Sequence, residues 1–175
     1  HDDTTSQQSN PTEAAICHTL DRDRDPSESF GIVTPHNAQR GLLTTAITDA
    51  DVDTVERYQG DERDIIAVSA TASAPQFLHH ESDFILNPNR LNVAMSRMKH
   101  KLVIIASSTV FTLMPEDVTT YDQAYLWKSL FRGCGAANGT PAWSGDLSDF
   151  CSTATKQSTL DTPDDVSLEV HHYNP

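Results

Sequence analysis

Cysteine, glycine and lysine are scarce in this chain, and each shortage closes off a class of protein. The three cysteines, Cys17, Cys134 and Cys151, stand far apart and no Cys-x-x-Cys occurs. They are too few and too scattered for a disulfide framework or a zinc site, and they fit a reducing, cytoplasmic setting. No apolar run reaches the roughly 18 residues of a membrane-spanning helix, and the first residues carry no signal-peptide pattern. Gly-x-x-x-x-Gly-Lys-Ser/Thr is absent, so the chain brings no glycine-rich phosphate cradle of its own. The pairs His79-His80 and His171-His172 point apart on any regular element, and no metal site is read from them.

Acid takes the place of lysine. Twelve Lys and Arg face 25 Asp and Glu, for a net charge of −13, and only four of the bases are lysine. Such a chain is normally a poor polyanion binder, yet the charge is uneven. Arg90 to Lys101 holds four basic residues and no acid, and Gly31 to Thr48 holds Arg40 and no acid. The acids gather in the N-terminal segment, in Asp49 to Asp64 and in the tail. This Asp-rich, Lys-poor, Thr-rich composition resembles that of halophilic proteins from salt-accumulating archaea. At molar salt the Debye length is about 3 Å, so distant acids barely repel a nucleic acid while close phosphate contacts still count. The chain opens on His1 rather than Met and is expected to be a piece of a longer one.

The periodicity predicts alternating strands and helices. His1 to Asn10 is polar and is expected to be disordered. A helix is expected over 11–20, a strand over 30–33, a helix over 38–48 and a brief extended segment over 52–55. After a turn at Gln59 to Glu62, a strand is expected over 65–70, a loop over 71–83, a helix over 90–98, a strand over 102–107 and an amphipathic helix over 119–132. Strands apolar on both faces between helices indicate a parallel sheet covered on both sides. The expected fold is an open, mainly parallel α/β sheet over residues 11–132, with ligands near the carboxyl ends of its strands. Residues 133–175, rich in Gly, Ser, Thr and Asp, read as a mostly flexible acidic tail. The alternation Val166, Leu168, Val170 predicts a final edge strand there.

Chemistry concentrates in three segments. Gly31-Ile-Val-Thr-Pro-His-Asn-Ala-Gln-Arg40 follows the first strand, Val52-Asp-Thr-Val-Glu-Arg-Tyr-Gln-Gly-Asp-Glu-Arg-Asp64 spans the second, and Arg90-Leu-Asn-Val-Ala-Met-Ser-Arg97 precedes the last. Seven residues make two helical turns, so Arg90 and Arg97 are expected on one helix face. Planar, permanently charged guanidiniums suit phosphate oxygens. In this order the segments resemble motifs IV, V and VI of superfamily 1 helicases, in the group of the RNA-decay helicases and replication nuclease-helicases. The resemblance covers Pro11 to Ala106.

The resemblance implies the second of two RecA-like domains, with ATP and Mg²⁺ held mainly by a first domain that would lie upstream. Single-stranded DNA or RNA would run across both. Arg97 matches the arginine finger that neutralises charge at the γ-phosphate. Gln59, Gly60, Glu62 and Arg90 fall where the family approaches the nucleotide, with Arg90 able instead to hold motif VI against motif V. Thr34, Pro35, His36, Thr54 and Val55 fall where the family touches nucleic acid, through contacts to the backbone. His36 stands where an aromatic is common and offers a smaller stacking face. Glu56 stands where Asp is usual, and Lys99 replaces a frequent Arg. The implied enzyme is an ATP-dependent helicase of which this piece alone is inactive as an ATPase. The alternative is a stand-alone, degenerate domain that grips nucleic acid or a protein partner without hydrolysis.

Overall fold

The computed structural model describes residues 1–58, 62–115, 117–134, 139–151, 160 and 165–173. Its centre is a four-stranded sheet built from β1 (Phe30–Thr34), β2 (Asp51–Thr54), β3 (Arg63–Ser69) and β4 (Met98–Ile105), in the order β2-β1-β3-β4. Every neighbouring pair is parallel. β1 is buried from end to end, as expected where both faces of a parallel sheet are covered. Its alternate residues point to opposite sides. Phe30 and Ile32 join Ile65 and Ala67 on one face, and Val33 joins Ile66 and Val68 on the other.

The first face is covered by α1 (Pro11–Asp23) and α2 (Asn37–Ala46). Asn10 caps α1 by accepting from the Glu13 N–H at 3.0 Å, and Pro11 starts the helix where its missing N–H costs nothing. After β3 the chain forms α3 (Pro75–His80) and α4 (Ser82–Ile85) where a loop is expected from the sequence. Leu78, Ile85 and Leu86 bury there against Ala124 and Trp127. The run is too short for its periodicity to register, and the burial stabilises it. α5 (Pro88–Met95) then packs Leu91 and Ala94 on the second face, and after β4 come α6 (Ser108–Thr112) and α7 (Val118–Gly133). Among the described residues no helix is long and apolar enough to cross a membrane.

Two expectations are corrected at the chain's ends. The first ten residues are packed rather than disordered. The backbone oxygen of Ser6 accepts from the N–H groups of Ser73 and Ala74, both at 2.9 Å, and the Ser107 hydroxyl donates to the Asp3 backbone oxygen at 2.7 Å. The Asn10 side chain also donates to the buried Thr71 oxygen at 3.0 Å, a backbone group that must be paired once buried. The tail also contributes to the core. β5 (Trp143–Asp146) and β6 (Ser167–Val170) pair antiparallel, with α8 (Leu147–Cys151) between them in sequence. Leu147, Val166 and Leu168 pack with α1 and α2. The alternation of Val166 and Leu168 correctly marks a strand, but its partner is β5 rather than the main sheet. The core therefore extends past residue 132. Leu168→Ala is expected to lower the unfolding free energy by about 2–4 kcal/mol, measured by urea denaturation; a loosely attached tail would leave it unchanged.

Candidate functional site

Because the four strands run the same way, the sheet has two chemically different edges. At the carboxyl edge the β1 and β2 ends are tied by the Val55 N–H donating to the Thr34 oxygen at 3.1 Å. Thr34, Thr54 and Val55 are all buried. The Thr34 hydroxyl is turned inward onto the Thr71 hydroxyl at 2.9 Å, so it is engaged in this geometry rather than presented to a phosphate. Pro35 is half-exposed. His36, the residue before α2, is 8% exposed and caps nothing with its side chain. Its ring is tilted against Phe84 and Phe77, with centroids 5.3 and 5.9 Å away. The His36 ring is thus folded into an aromatic cluster.

Arg90 belongs to the same edge. Its guanidinium carbon sits 3.5 Å from the Phe84 ring centroid, and its Nη2 lies 2.6 Å from Glu56 Oε1. Glu56 follows β2 and is half-exposed, whereas the Arg90 side chain is mostly buried. Burial holds the Arg90 guanidinium below its ordinary range, with Glu56 acting the opposite way. Both Arg90 Nη1 and His36 Nε2 are buried without a hydrogen-bond partner. Arg90 therefore ties the start of α5 to the segment that follows β2. Phe84 and Phe77, which complete this cluster, escaped the sequence reading. The available signal was an aromatic six residues before Arg90, just past the stretch taken for loop.

Arg97 lies elsewhere. α5 ends at Met95, with Ser96 as its cap, so Arg97 stands beyond the helix instead of sharing a face with Arg90. The reason is strand pairing. Met98 is in register with Arg63 at the start of β3, and the Arg63 N–H donates to the Arg97 oxygen at 2.9 Å. The chain must be extended there, which ends the helix early. Arg97 is half-buried at the amino edge of the sheet, and its Nε has no partner. Exposed Glu62 immediately precedes β3 on this edge. Gln59 and Gly60 lie outside the described residues.

Tyr58 lines the approach to this edge. It is buried over Gly31, where a Cβ would collide with the tyrosine hydroxyl and lie 2.9 Å from Ile66 Cδ1. Burial pushes its phenol up to about 12, and the charges of Arg63 and Arg97 act in the opposite direction. The phenol is neutral, and its hydroxyl is unpartnered.

A parallel sheet flanked by helices, with cationic groups at opposite edges, defines the class as a RecA-like α/β domain. The family described as "AAA domain" matches residues 1–109, more than half of the chain, and the chain belongs to that family. It is 33% identical over 112 residues to the DNA replication ATP-dependent helicase/nuclease JHS1 of Arabidopsis thaliana, covering 61% of this chain and 8% of that protein. It is 36% identical over 91 residues to the DNA polymerase alpha-associated DNA helicase A of Saccharomyces cerevisiae, covering 49% and 13%. With the ATP-dependent helicase upf1 of Schizosaccharomyces pombe it shares 30% identity over 116 residues, covering 58% and 12%. These similarities support a superfamily 1 helicase domain. The chain spans only 8 to 13% of the length of these relatives.

The buried imidazole makes this edge pH-sensitive. Burial pulls the His36 imidazole below its ordinary value of 6.5, with the Arg90 charge adding to it. The unfolded chain therefore binds this proton more readily than the folded one. The His36 contribution to stability is complete above about pH 6.5 and declines as pH falls below it. Between about pH 7.5 and about pH 5.5 the unaltered chain should lose more stability than His36→Asn, compared by urea midpoints at each pH.

Proposed function

We propose that this chain is the second motor lobe of an ATP-dependent superfamily 1 helicase, delivering Arg97 to a nucleotide held by another lobe. One observation carries the reading. Arg97 stands at the amino edge of β3 and β4 with its Nε unpartnered, and among the described residues its guanidinium forms no ion pair with a carboxylate. Arg90, two helical turns away, is by contrast already committed to Glu56. A permanently charged group left unneutralised at a domain edge suits charge that develops only during reaction.

The residues divide by edge. At the amino edge Arg97 donates to the phosphoryl group undergoing transfer, and Glu62 accepts from ribose hydroxyls or steadies Arg97. Gln59 and Gly60, from the same motif, complete the approach to the nucleotide. ATP and Mg²⁺ rest mainly on the first lobe, and the groups here fit that division: the Arg97 guanidinium and the exposed Glu62 carboxylate, with no cluster of metal-ligating side chains among the described residues. When bound, Mg²⁺ supplies charge neutralisation at the phosphates. Without the first lobe this chain is inactive as an ATPase.

At the carboxyl edge a single strand of DNA or RNA lies along Pro35 and the outer side of the His36 cluster. Thr34, Thr54 and Val55 act from beneath, through the backbone they hold in place. The acidic surface away from these edges fits a halophilic, cytoplasmic protein, where screening confines electrostatics to close contacts. Arg97→Ala in the complete gene product is expected to lower nucleic-acid-stimulated ATP hydrolysis by about a hundred-fold or more, with single-strand affinity unchanged. An ATPase rate equal to that of the unaltered protein would remove the assignment.

A further inference from the structure

The most constrained residue of the carboxyl edge is one that the helicase reading leaves unused. Thr71, two residues past β3, has φ 71°. A β-branched side chain in the left-handed region is strained, and such a conformation persists only where its surroundings over-determine it. Thr71 is fully buried. Its N–H donates to Glu13 Oε2 at 2.9 Å, its oxygen accepts from Asn10 Nδ2 at 3.0 Å, and its hydroxyl meets Thr34 Oγ1 at 2.9 Å.

Glu13 is the anchor. The carboxylate is fully buried on the first turn of α1, and it also accepts from the Ser69 hydroxyl at 2.5 Å. A buried carboxylate is costly unless its hydrogen bonds are satisfied. A simple core position here could be apolar. The carboxylate instead grips the last residue of β3 and the strained residue two positions on. Through Thr71 that grip reaches Thr34, whose backbone oxygen holds Val55. One carboxylate thus sets the relative height of the ends of β1, β2 and β3, the three ends that a single strand would cross.

We propose that Glu13 is a positioning residue for single-stranded nucleic acid. It keeps Thr71 in its strained conformation, and Thr71 in turn holds the Thr34–His36 turn at the height that backbone contacts require. This inference rests on the helicase reading above, because it presumes that a strand lies on that edge.

The test uses the complete gene product, a fluorescein-labelled single-stranded oligonucleotide followed by anisotropy, and thermal unfolding in parallel. Glycine adopts the left-handed region without strain. Thr71→Gly should therefore keep or raise the unfolding midpoint while weakening oligonucleotide binding about five-fold or more. Glu13→Gln should lower both. The combined variant should recover the midpoint relative to Glu13→Gln without recovering affinity, a split that a merely structural role would not produce. Thr71→Gly binding as tightly as the unaltered chain would overturn the inference alone, as would a collapse of its midpoint or a Glu13→Gln variant with full affinity. Absence of binding by the unaltered gene product would instead remove the helicase reading beneath it.

Discussion

The polarity of the parallel sheet is the constraint from which the rest follows. Four strands pointing one way give a carboxyl edge and an amino edge, and a helix that returns between two strands must connect them. α5 is that connector. α5 and the extended residues that follow it leave Arg90 with Glu56 at one edge and bring Arg97 beside Arg63 at the other. Two arginines that look equivalent in sequence therefore meet different chemistry. One is neutralised by a carboxylate and stacked on Phe84; the other forms no ion pair with a carboxylate among the described residues, and its Nε is unpartnered.

The same arrangement connects the edges physically. Arg90 fastens one end of α5 to the segment after β2, and Leu91 and Ala94 bury the helix against Val33, Ile66 and Val68. A cation stacked on an aromatic ring is worth about 0.5–2 kcal/mol according to its desolvation. The half-exposed ion pair with Glu56 adds only modestly, because solvent screens it. The Arg90 Nη1 and His36 Nε2 groups, buried without partners, mark this cluster as the place where rearrangement would gain hydrogen bonds.

Much of the sheet was legible because its strands are apolar on both faces and its motifs fall at strand ends. β1, β3 and the helices flanking them lie within a few residues of expectation, and the Arg97 end of α5 differs because register with Arg63 outcompetes helical periodicity. The N-terminal segment was misread because its Asp, Ser and Asn side chains look solvent-seeking in sequence, whereas its backbone oxygens accept from Ser73, Ala74 and Ser107 and Asn10 donates to the buried Thr71 oxygen. The tail was misread because its glycines and serines dilute the few apolar residues, Leu147, Val166 and Leu168, that reach the core. Within the site, residue types did not reveal exposure. Nothing in a threonine's position announces that its hydroxyl faces inward, as that of Thr34 does. Glu13 and Thr71 had no signal at all, since a backbone dihedral and a buried carboxylate become visible only in three dimensions.

The central claim is that Arg97 is reserved for charge that builds up in the reaction rather than for the bound nucleotide. The most direct measurement is the affinity of the complete protein for ADP–aluminium fluoride, which mimics the phosphoryl group in transfer, set against its affinity for ADP. The preference of the unaltered protein for the mimic should largely vanish in Arg97→Lys, while ADP affinity stays the same, because a point charge cannot replace the guanidinium fork. An equal preference in both proteins would contradict the account.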